Sequence, residues 1–249
     1  MDKALYVAMT GARASLQAQG VVANNLANVD TSGFKAALAG TQQYKVQGAG
    51  FPSRIDATLM DPGFNSSVGM QRVTGRNTDV ALADGNWLAV QGSDGTPAYT
   101  RGGELTITPN GQLVTAGGRP VLDDNQVPIA VPPYQSVDIG SDGTISIVPQ
   151  GEAASTMVVL GRMRVVQLDR SQIARGSDGL MRTTDPTLVP QPSVGNVLTT
   201  GALEGSNVSA PDTLVQMIQL QRQYEMQVKV IKTGDENAQS ANGLLRLNG

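Results

Sequence analysis

The sequence predicts a mainly β protein in which long N- and C-terminal coiled-coil-type helices flank an antiparallel β domain. Three observations support this fold class: heptad spacing at the N-terminus, the same spacing at the C-terminus, and a period of two between them. The predicted domain boundaries are an N-terminal segment with the first helix over 1–35, a connector over 36–72, the β domain over 73–200 and a C-terminal segment with the second helix over 203–249. The 249-residue length suits one or two domains.

The N-terminal helix is predicted from apolar and small residues that recur at alternating steps of four and three. These are Leu5, Met9, Ala12, Leu16, Gln19, Ala23 and Leu26. Such spacing is typical of a coiled-coil seam, although an amphipathic helix packed on its own domain gives the same pattern. Gly11 and Gly20 each cost about 1 kcal/mol relative to Ala. We therefore expect this helix to be marginal in isolation.

The C-terminal helix is predicted over 210–247, a length of about 55 Å at 1.5 Å per residue. Its heptad positions are Leu214, Met217, Gln221, Tyr224, Val228, Ile231, Asp235, Ala238, Asn242 and Leu245. Ser209 can cap the helix, and Pro211 suits its first turn. A globular domain of this size does not need so long a helix inside it. Polar seam residues also favour a defined register with a partner over maximal stability.

The β domain is predicted from alternating apolar and polar residues, as in Thr144-Ile145-Ser146-Ile147. Turn dipeptides separate such runs: Asp84-Gly85, Asp94-Gly95, Asn110-Gly111, Asp142-Gly143 and Asp178-Gly179. Because glycine accepts positive φ and Asp or Asn tolerates it, these pairs favour hairpins. We expect about eight to ten short antiparallel strands. Trp87 is expected to fill the core, whereas the Gly-, Ser- and Gln-rich connector is expected to be irregular or partly extended.

The composition excludes several classes of function. The chain has no His and no Cys, which excludes Ser-His-Asp catalysis and the usual zinc, haem and iron–sulfur sites. We predict no catalytic residue, metal or cofactor. A pair of catalytic carboxylates stays open, because there are 21 acidic residues and no local pattern selects two.

Charge and hydropathy indicate which partners to expect. The net charge of −3, with 18 basic residues, does not indicate a basic surface that would bind nucleic acid. No apolar run reaches the roughly 18 residues of a membrane-spanning helix, so we expect a protein that is not membrane-embedded. The N-terminus lacks the pattern of a secretory signal, so any export is expected to occur without a cleaved signal peptide.

Three stretches resemble the axial proteins of the bacterial flagellum, the family of rod, hook and hook-associated proteins. The N-terminal signature is Ala23-Asn24-Asn25-Leu26-Ala27-Asn28-Val29-Asp30-Thr31-Ser32-Gly33-Phe34-Lys35. The C-terminal signature is Leu203-Glu204-Gly205-Ser206-Asn207-Val208, followed by Met217 to Glu225. The third stretch runs from Thr78 through Tyr99-Thr100-Arg101-Gly102-Gly103 to Thr115 and is similar to the β domain of rod and hook proteins. Asp84 to Leu88 and Ser177 to Arg182 look most like the proximal rod members.

The resemblance implies a structural subunit of the flagellar rod that is not an enzyme. Its terminal helices would polymerise into the shaft that transmits torque from motor to hook, with the β domain outside. It implies self-association in a helical assembly, neighbouring proximal and distal rod proteins as partners, and the flagellar export apparatus as a partner in transit. The location would be the basal-body rod crossing the periplasm. The alternatives are a distal rod or hook component, or a carbohydrate-binding or peptidoglycan-active β module.

The heptads and the resemblance together nominate two sets of residues. The predicted assembly interface places Leu5, Met9, Leu16 and Leu26 against Met217, Tyr224, Val228, Ile231 and Leu245, within or between subunits. The family motif comprises Asn24, Asn25, Leu26, Asn28, Thr31, Gly33, Phe34, Ser206, Asn207, Val208, Arg222 and Tyr224. Gly33 is expected to supply positive φ, and the three asparagines are expected to bond the turn, a neighbouring subunit or the helix C-terminus. Arg222 and Glu225 suit either an inter-subunit ion pair or a solvated helix face.

Overall fold

A computed structural model describes residues 2–45, 55–60, 63–153 and 155–247. Helix α1 spans Asp2–Ala27 and helix α2 spans Ala210–Leu247, with sixteen strands between them in the described residues. The strands are β1 Gly40–Lys45, β2 Ile55–Met60, β3 Gln71–Val73, β4 Val80–Leu82, β5 Asn86–Gln91, β6 Pro97–Thr100, β7 Leu105–Ile107, β8 Leu113–Thr115, β9 Tyr134–Ile139, β10 Thr144–Pro149, β11 Val158–Arg162, β12 Val165–Gln167, β13 Ile173–Arg175, β14 Met181–Thr183, β15 Leu198–Thr200 and β16 Ala202–Glu204. The predicted fold class is confirmed.

The chain divides into two compact units. The helical unit comprises Met1–Val29, Ala36–Phe64 and Val208–Gly249, and the β unit comprises Asp30–Lys35 and Asn65–Asn207. Each is therefore built from segments that are distant in the sequence.

In the helical unit, α1 packs against α2 and also contacts β2. Strands β1 and β2 pair antiparallel, from Gly40 opposite Met60 to Lys45 opposite Ile55. The connector, which is expected to be irregular or partly extended, thus contains two paired strands. An isolated two-stranded hairpin is marginal, and packing against a helix supplies the stability that its local sequence does not reveal.

The β unit contains a five-stranded sheet in the order β12-β5-β6-β14-β13 and a three-stranded sheet in the order β11-β10-β9. Three two-stranded sheets, β15-β4, β16-β3 and β7-β8, complete it. The expectation of eight to ten strands is too low, because several strands have only three residues. Inward-facing Leu82, Leu88, Val90, Ile145 and Ile147 belong to one hydrophobic cluster.

The predicted turn dipeptides have the expected backbone, since the glycine of each one has positive φ. Those after β5, β7, β9 and β13 each join two strands that pair with each other. Asp84-Gly85 differs, because it joins β4 to β5 and β4 pairs with β15 instead. Trp87 is buried as expected. No helix within the described ranges combines the length and apolar character needed to cross a bilayer.

Candidate assembly interface

The seam between the two helices is built from small residues on α1. Ala8, Ala12, Ala14, Ser15, Ala18, Val22 and Asn25 are buried on this helix. A Cβ atom added to Gly11 would lie 3.1 Å from the side chain of Gln227, which shows how closely the helices approach. Small residues permit this approach because interaxial distance depends on the side chains at the contact.

The facing stripe of α2 follows a regular heptad. Its half-buried residues are Met217, Leu220, Tyr224, Gln227, Ile231, Gly234 and Ala238. A Cβ atom on Gly234 would lie 3.2 Å from Cδ1 of Leu5, so Gly234 and Leu5 are also close. The stripe shares Met217, Tyr224 and Ile231 with the predicted interface, but it uses Leu220 and Gln227 where the sequence pattern favours the next residue.

Large apolar residues instead lie on the outer faces of both helices. On α1, Met9 is 55% exposed and Leu16 is 54% exposed. On α2, the exposed set is Leu214, Val215, Ile218, Met226, Val228 and Val230. Leu26 is half-buried, and the side chain of Leu245 lies outside the described residues. The predicted contacts between subunits therefore stay a prediction, with Met9, Leu16 and Val228 exposed in the single chain.

A groove of about 620 Å³ lies in the helical unit. Gly11, Ala14 and Ala18 line it from α1, and Gln219 and Gln223 line it from α2. Among the residues that the structure describes, those that line this groove are all uncharged. Its small and amide side chains provide packing surface and hydrogen bonds but no acid or base for catalysis.

The asparagines of the N-terminal signature stabilise the end of α1. Asn25 forms a two-way amide clamp on Ala37: its Nδ2 donates to the Ala37 carbonyl at 2.8 Å, and its Oδ1 accepts from the Ala37 amide at 2.8 Å. The Asn28 side chain donates to the carbonyl of Asn24 at 2.8 Å. This bond satisfies one of the carbonyls that a helix C-terminus leaves without an intrahelical partner.

Gly33 allows the signature loop to approach the rest of the β unit. Its φ is +68°, in the left-handed region that favours glycine. Its amide donates to the Glu204 carbonyl at 2.7 Å. An added Cβ atom would lie 2.2 Å from the backbone carbon of Arg101, and a backbone atom cannot move aside as a flexible side chain could. Position 33 thus requires glycine for two reasons, conformation and space.

We expect Gly33→Ala to destabilise the protein by more than Gly75→Ala does. Gly75 also has positive φ, +74°, but an added Cβ atom there meets nothing within 4 Å. Gly75→Ala should therefore cost only the left-handed strain, about 1–2 kcal/mol, and Gly33→Ala should cost that plus the clash. Urea denaturation of the two variants measures the difference. Equal losses would mean that the loop does not depend on contact with Arg101.

Glu204 is the centre of a buried ionic cluster that joins both signatures. Its Oε1 accepts from Nζ of Lys35 at 2.7 Å and from the amide of Gly69 at 2.9 Å. Its Oε2 accepts from Nε and Nη2 of Arg101 at 2.7 and 2.5 Å. The three charged side chains are at most 2% exposed. Such a cluster is stable only when its geometry satisfies every member, and here four donors surround one carboxylate.

Arg101 also bonds the backbone around β4 and β5. Its Nη1 donates to the carbonyls of Ala83 and Asn86, and its Nη2 donates to that of Leu82. The guanidinium lies 5.8 Å from the centre of the Trp87 ring.

The members of the Glu204 cluster were missed as functional residues at the level of sequence. Lys35, Arg101 and Glu204 all lie in stretches that resemble the flagellar axial proteins, but the pattern assigns no role to any of them. The signal that could have distinguished them is that charged residues occupy otherwise apolar or glycine-rich segments.

The C-terminal signature bonds the N-terminal one directly. The Asn207 amide donates to the Phe34 carbonyl at 3.2 Å, and its side chain donates to the carbonyls of Asn65 and Ser67 at 2.9 and 3.0 Å. Arg175 donates to the Lys35 carbonyl and lies 4.7 Å from the centre of the Phe34 ring.

The remaining motif residues have simpler surroundings. The backbone carbonyl of Thr31 accepts a hydrogen bond from the backbone amide of Phe34, with 3.2 Å between N and O. Ser206 and Val208 are half-buried, whereas Arg222 is exposed on α2. Glu225 accepts from the Gln221 side chain at 3.3 Å, along the same helix face. The ion pair between Arg222 and Glu225 of different subunits stays a prediction.

Burial lowers the pKa of Lys35 below its ordinary value, and this effect exceeds the opposite effect of the Glu204 carboxylate. Arg101 lowers the same pKa further by like-charge repulsion. In the folded protein, Lys35 therefore loses its charge at a lower pH than an ordinary lysine does. In the unfolded chain it keeps its proton to a higher pH.

The stability of the native protein relative to Lys35→Met should rise with pH in the alkaline range. Between the lowered pKa and the ordinary value, the unfolded state binds more protons than the native state, so the free energy of unfolding increases with pH. The unfavourable contribution is fully present below the lowered pKa. Denaturant titrations of both proteins at several alkaline pH values give the difference. A difference that falls with pH would show that pairing with Glu204 dominates over burial.

Three family models match separate parts of this chain. They are "Flagella basal body rod protein" over residues 5–35, "Flagellar hook protein FlgE/F/G D1 domain" over 82–147 and "Flagellar basal body rod FlgEFG protein C-terminal" over 199–244. The first and last contain the signatures that meet at Glu204. The middle one covers Leu88, Arg101 and much of the β core.

Relatives extend the similarity to the whole length. The flagellar basal-body rod protein FlgF of Escherichia coli (strain K12) is 41% identical over 254 residues, covering 99% of this chain and all of the relative. The chain belongs to the flagellar basal-body rod protein family. FlgF of Salmonella typhimurium is 39% identical over 99% of this chain, again covering all of the relative. FlgG of Buchnera aphidicola subsp. Acyrthosiphon pisum is 31% identical over 98% of this chain and all of the relative. Membership of the rod family accounts for both terminal signatures.

Proposed function

We propose that this chain is a structural subunit of the proximal part of the flagellar basal-body rod. It polymerises through its terminal helices into the shaft that transmits torque from the motor to the hook. The observation that carries this proposal is the distribution of side chains on the helices. The buried face of α1 consists mostly of small residues, whereas large apolar residues such as Leu16 on α1 and Ile218 on α2 are exposed. Outward apolar surface on a soluble protein is typical of an interaction site.

The partners follow from the same surface. Neighbouring subunits of this chain and of other rod proteins, the distal rod protein among them, cover the outer faces of α1 and α2. A head-to-tail contact that does not close into a ring generates a helical assembly. Interdigitated helices resist shear because their side chains are close-packed, which suits a rotating shaft.

Assembly outside the cytoplasm requires export, and we infer that the flagellar export apparatus is a partner in transit. Glycines within both helices, such as Gly11 and Gly234, lower the stability of each helix on its own. Helices that are marginal alone can remain unfolded during transport and become ordered on docking. The assembled protein is then part of the rod that crosses the periplasm.

An enzymatic role has less support. Among the described residues, the carboxylates buried in the β unit are those of Asp79 and Glu204. The Glu204 carboxylate forms ion pairs with Lys35 and Arg101. The Nε atom of Arg76 lies 3.7 Å from Oδ1 of Asp79. Charge-paired carboxylates of this kind serve structure more readily than acid–base exchange at a glycosidic bond.

Cryo-EM of basal bodies purified from the source cells tests the proposal. We expect density for this fold in the proximal rod, with α1 and α2 in the inner wall. A deletion strain should assemble no rod beyond that point and should not swim. Density for this chain in the distal rod or the hook would support the alternative within the same family. Its absence from the basal body, with normal swimming of the deletion strain, would exclude a rod function.

A further inference from the structure

The polypeptide passes between the helical unit and the β unit at four crossing points. It passes into the β unit after Val29, out of it after Lys35, into it again after Phe64 and out of it after Asn207. Each crossing point therefore lies within a few residues of a signature segment or of residues 65–69. Four flexible crossing points would let the ends of the β unit's two segments move independently.

The Glu204 cluster lies among these crossing points. The Glu204 carbonyl accepts from the amide of Gly33, which lies between the first and second crossing points, and its carboxylate accepts from Lys35, the last residue before the second. The same carboxylate oxygen accepts from the amide of Gly69, a few residues after the third. Lys35 Nζ also donates to the Ser67 carbonyl at 2.7 Å. One buried carboxylate thus connects three segments of the chain.

Asn207 completes the set at the fourth crossing point. Its backbone amide donates a hydrogen bond to the Phe34 carbonyl, and its side-chain amide donates to the carbonyls of Asn65 and Ser67. Close packing of backbones reinforces these bonds: a Cβ atom on Gly69 would lie 2.0 Å from the Gly205 carbonyl oxygen. The segments next to the crossing points are therefore in direct contact with one another inside the β unit.

We infer that Lys35, Glu204 and Asn207 are positioning residues that hold the four crossing points of the β unit at fixed mutual distances. Buried ion pairs contribute little net stability compared with apolar residues of the same size, so a specific geometry is the better reason for this cluster. The consequence for torque rests on the proposed rod function: fixed crossing points would let torsion in the helices reach the β domain without local unwinding. The inference on geometry holds for the isolated chain as well.

Electron paramagnetic resonance distances in the purified full-length chain test this inference. The chain has no Cys, so nitroxides attach only at introduced cysteines, and the first labelled pair is Asp30→Cys with Ser66→Cys. Both positions are exposed, and they lie beside the first and third crossing points. A second pair on the exposed Val127 and Val194, away from the cluster in sequence, serves as the control pair.

We expect Lys35→Met and Asn207→Ala each to broaden the distance distribution between positions 30 and 66 and to leave that between 127 and 194 unchanged. Lys35→Met keeps the pair of Arg101 with Glu204, and Asn207 is only half-buried, so both variants should fold. Ile147→Val is the matched control, because it weakens the core without touching the cluster.

The inference is overturned if the distribution between 30 and 66 stays narrow in both folded variants, or if Ile147→Val broadens it equally. Neither result depends on rod assembly, so a failure here is distinct from a failure of the rod function.

Discussion

Cells carrying Leu16→Asp are expected to export the protein but fail to incorporate it into the rod, and therefore not to swim. Leu16 is 54% exposed in the single chain, so the substitution should change the free energy of unfolding by less than about 1 kcal/mol. Burying the exposed half of this side chain in the assembled shaft would contribute about 1 kcal/mol per subunit, roughly half of the gain for a fully exposed leucine. Burying an unpaired carboxylate there costs more than that gain.

Gln17→Asp is the matched control, because it adds the same charge one residue along the exposed surface of α1. Swimming assays, together with immunoblots of purified basal bodies, measure incorporation of both variants. We expect Gln17→Asp to assemble. Normal swimming of Leu16→Asp would contradict the assignment of this helix face to the interface between subunits. Circular dichroism of the purified monomers checks that both variants are folded.

Glu204→Ala is expected to cause the largest loss of stability, about 3–5 kcal/mol, because it leaves Lys35 and Arg101 buried without their counter-charge. The carboxylate side chain is fully buried and accepts four hydrogen bonds. The loss of stability is measured by unfolding the protein in urea and monitoring the fluorescence of Trp87, which lies beside Arg101.

Glu104→Ala is the control for Glu204→Ala. Glu104 is 40% exposed and lies 3.7 Å from Arg76, also partly exposed. An exposed ion pair of this kind contributes at most about 1 kcal/mol. Similar losses in the two variants would show that the Glu204 cluster contributes no more than a surface ion pair.

Local signals account for the parts of the fold that the sequence predicted well. The sequence predicts helix α2 over 210–247, and the structure has it from Ala210 to Leu247, because a serine and a proline at its start and a long heptad repeat are all local features. The turn at Asp142-Gly143 is likewise a property of two adjacent residues, and it joins paired strands. Strand partners are different. Strand β16 pairs with β3 across more than a hundred residues, and no neighbouring sequence specifies that choice.

The helix seam shows what apolar spacing leaves open. The spacing predicts that Met9 and Leu16 pack against the C-terminal helix within or between subunits, and within one chain Ala8, Ser15 and Ala18 are the buried residues. The buried face of α1 is made mostly of small side chains, which allow the larger side chains of α2 to pack against it, and Met9 and Leu16 of α1 remain outside this contact. The heptad period was informative, but the face that it selects within one chain depends on how both helices pack.

By itself, the sequence determined the helix–β–helix order, the limits of α2, the turns and the family, because each of these depends on residues that are close together in the chain. The tertiary structure alone decided which helix face is internal and which charged residues meet. Lys35 and Arg101 are separated from Glu204 by 169 and 103 residues. Their charges become mutually dependent only when folding removes water around them, because the attraction between charges is strong where the dielectric constant is low.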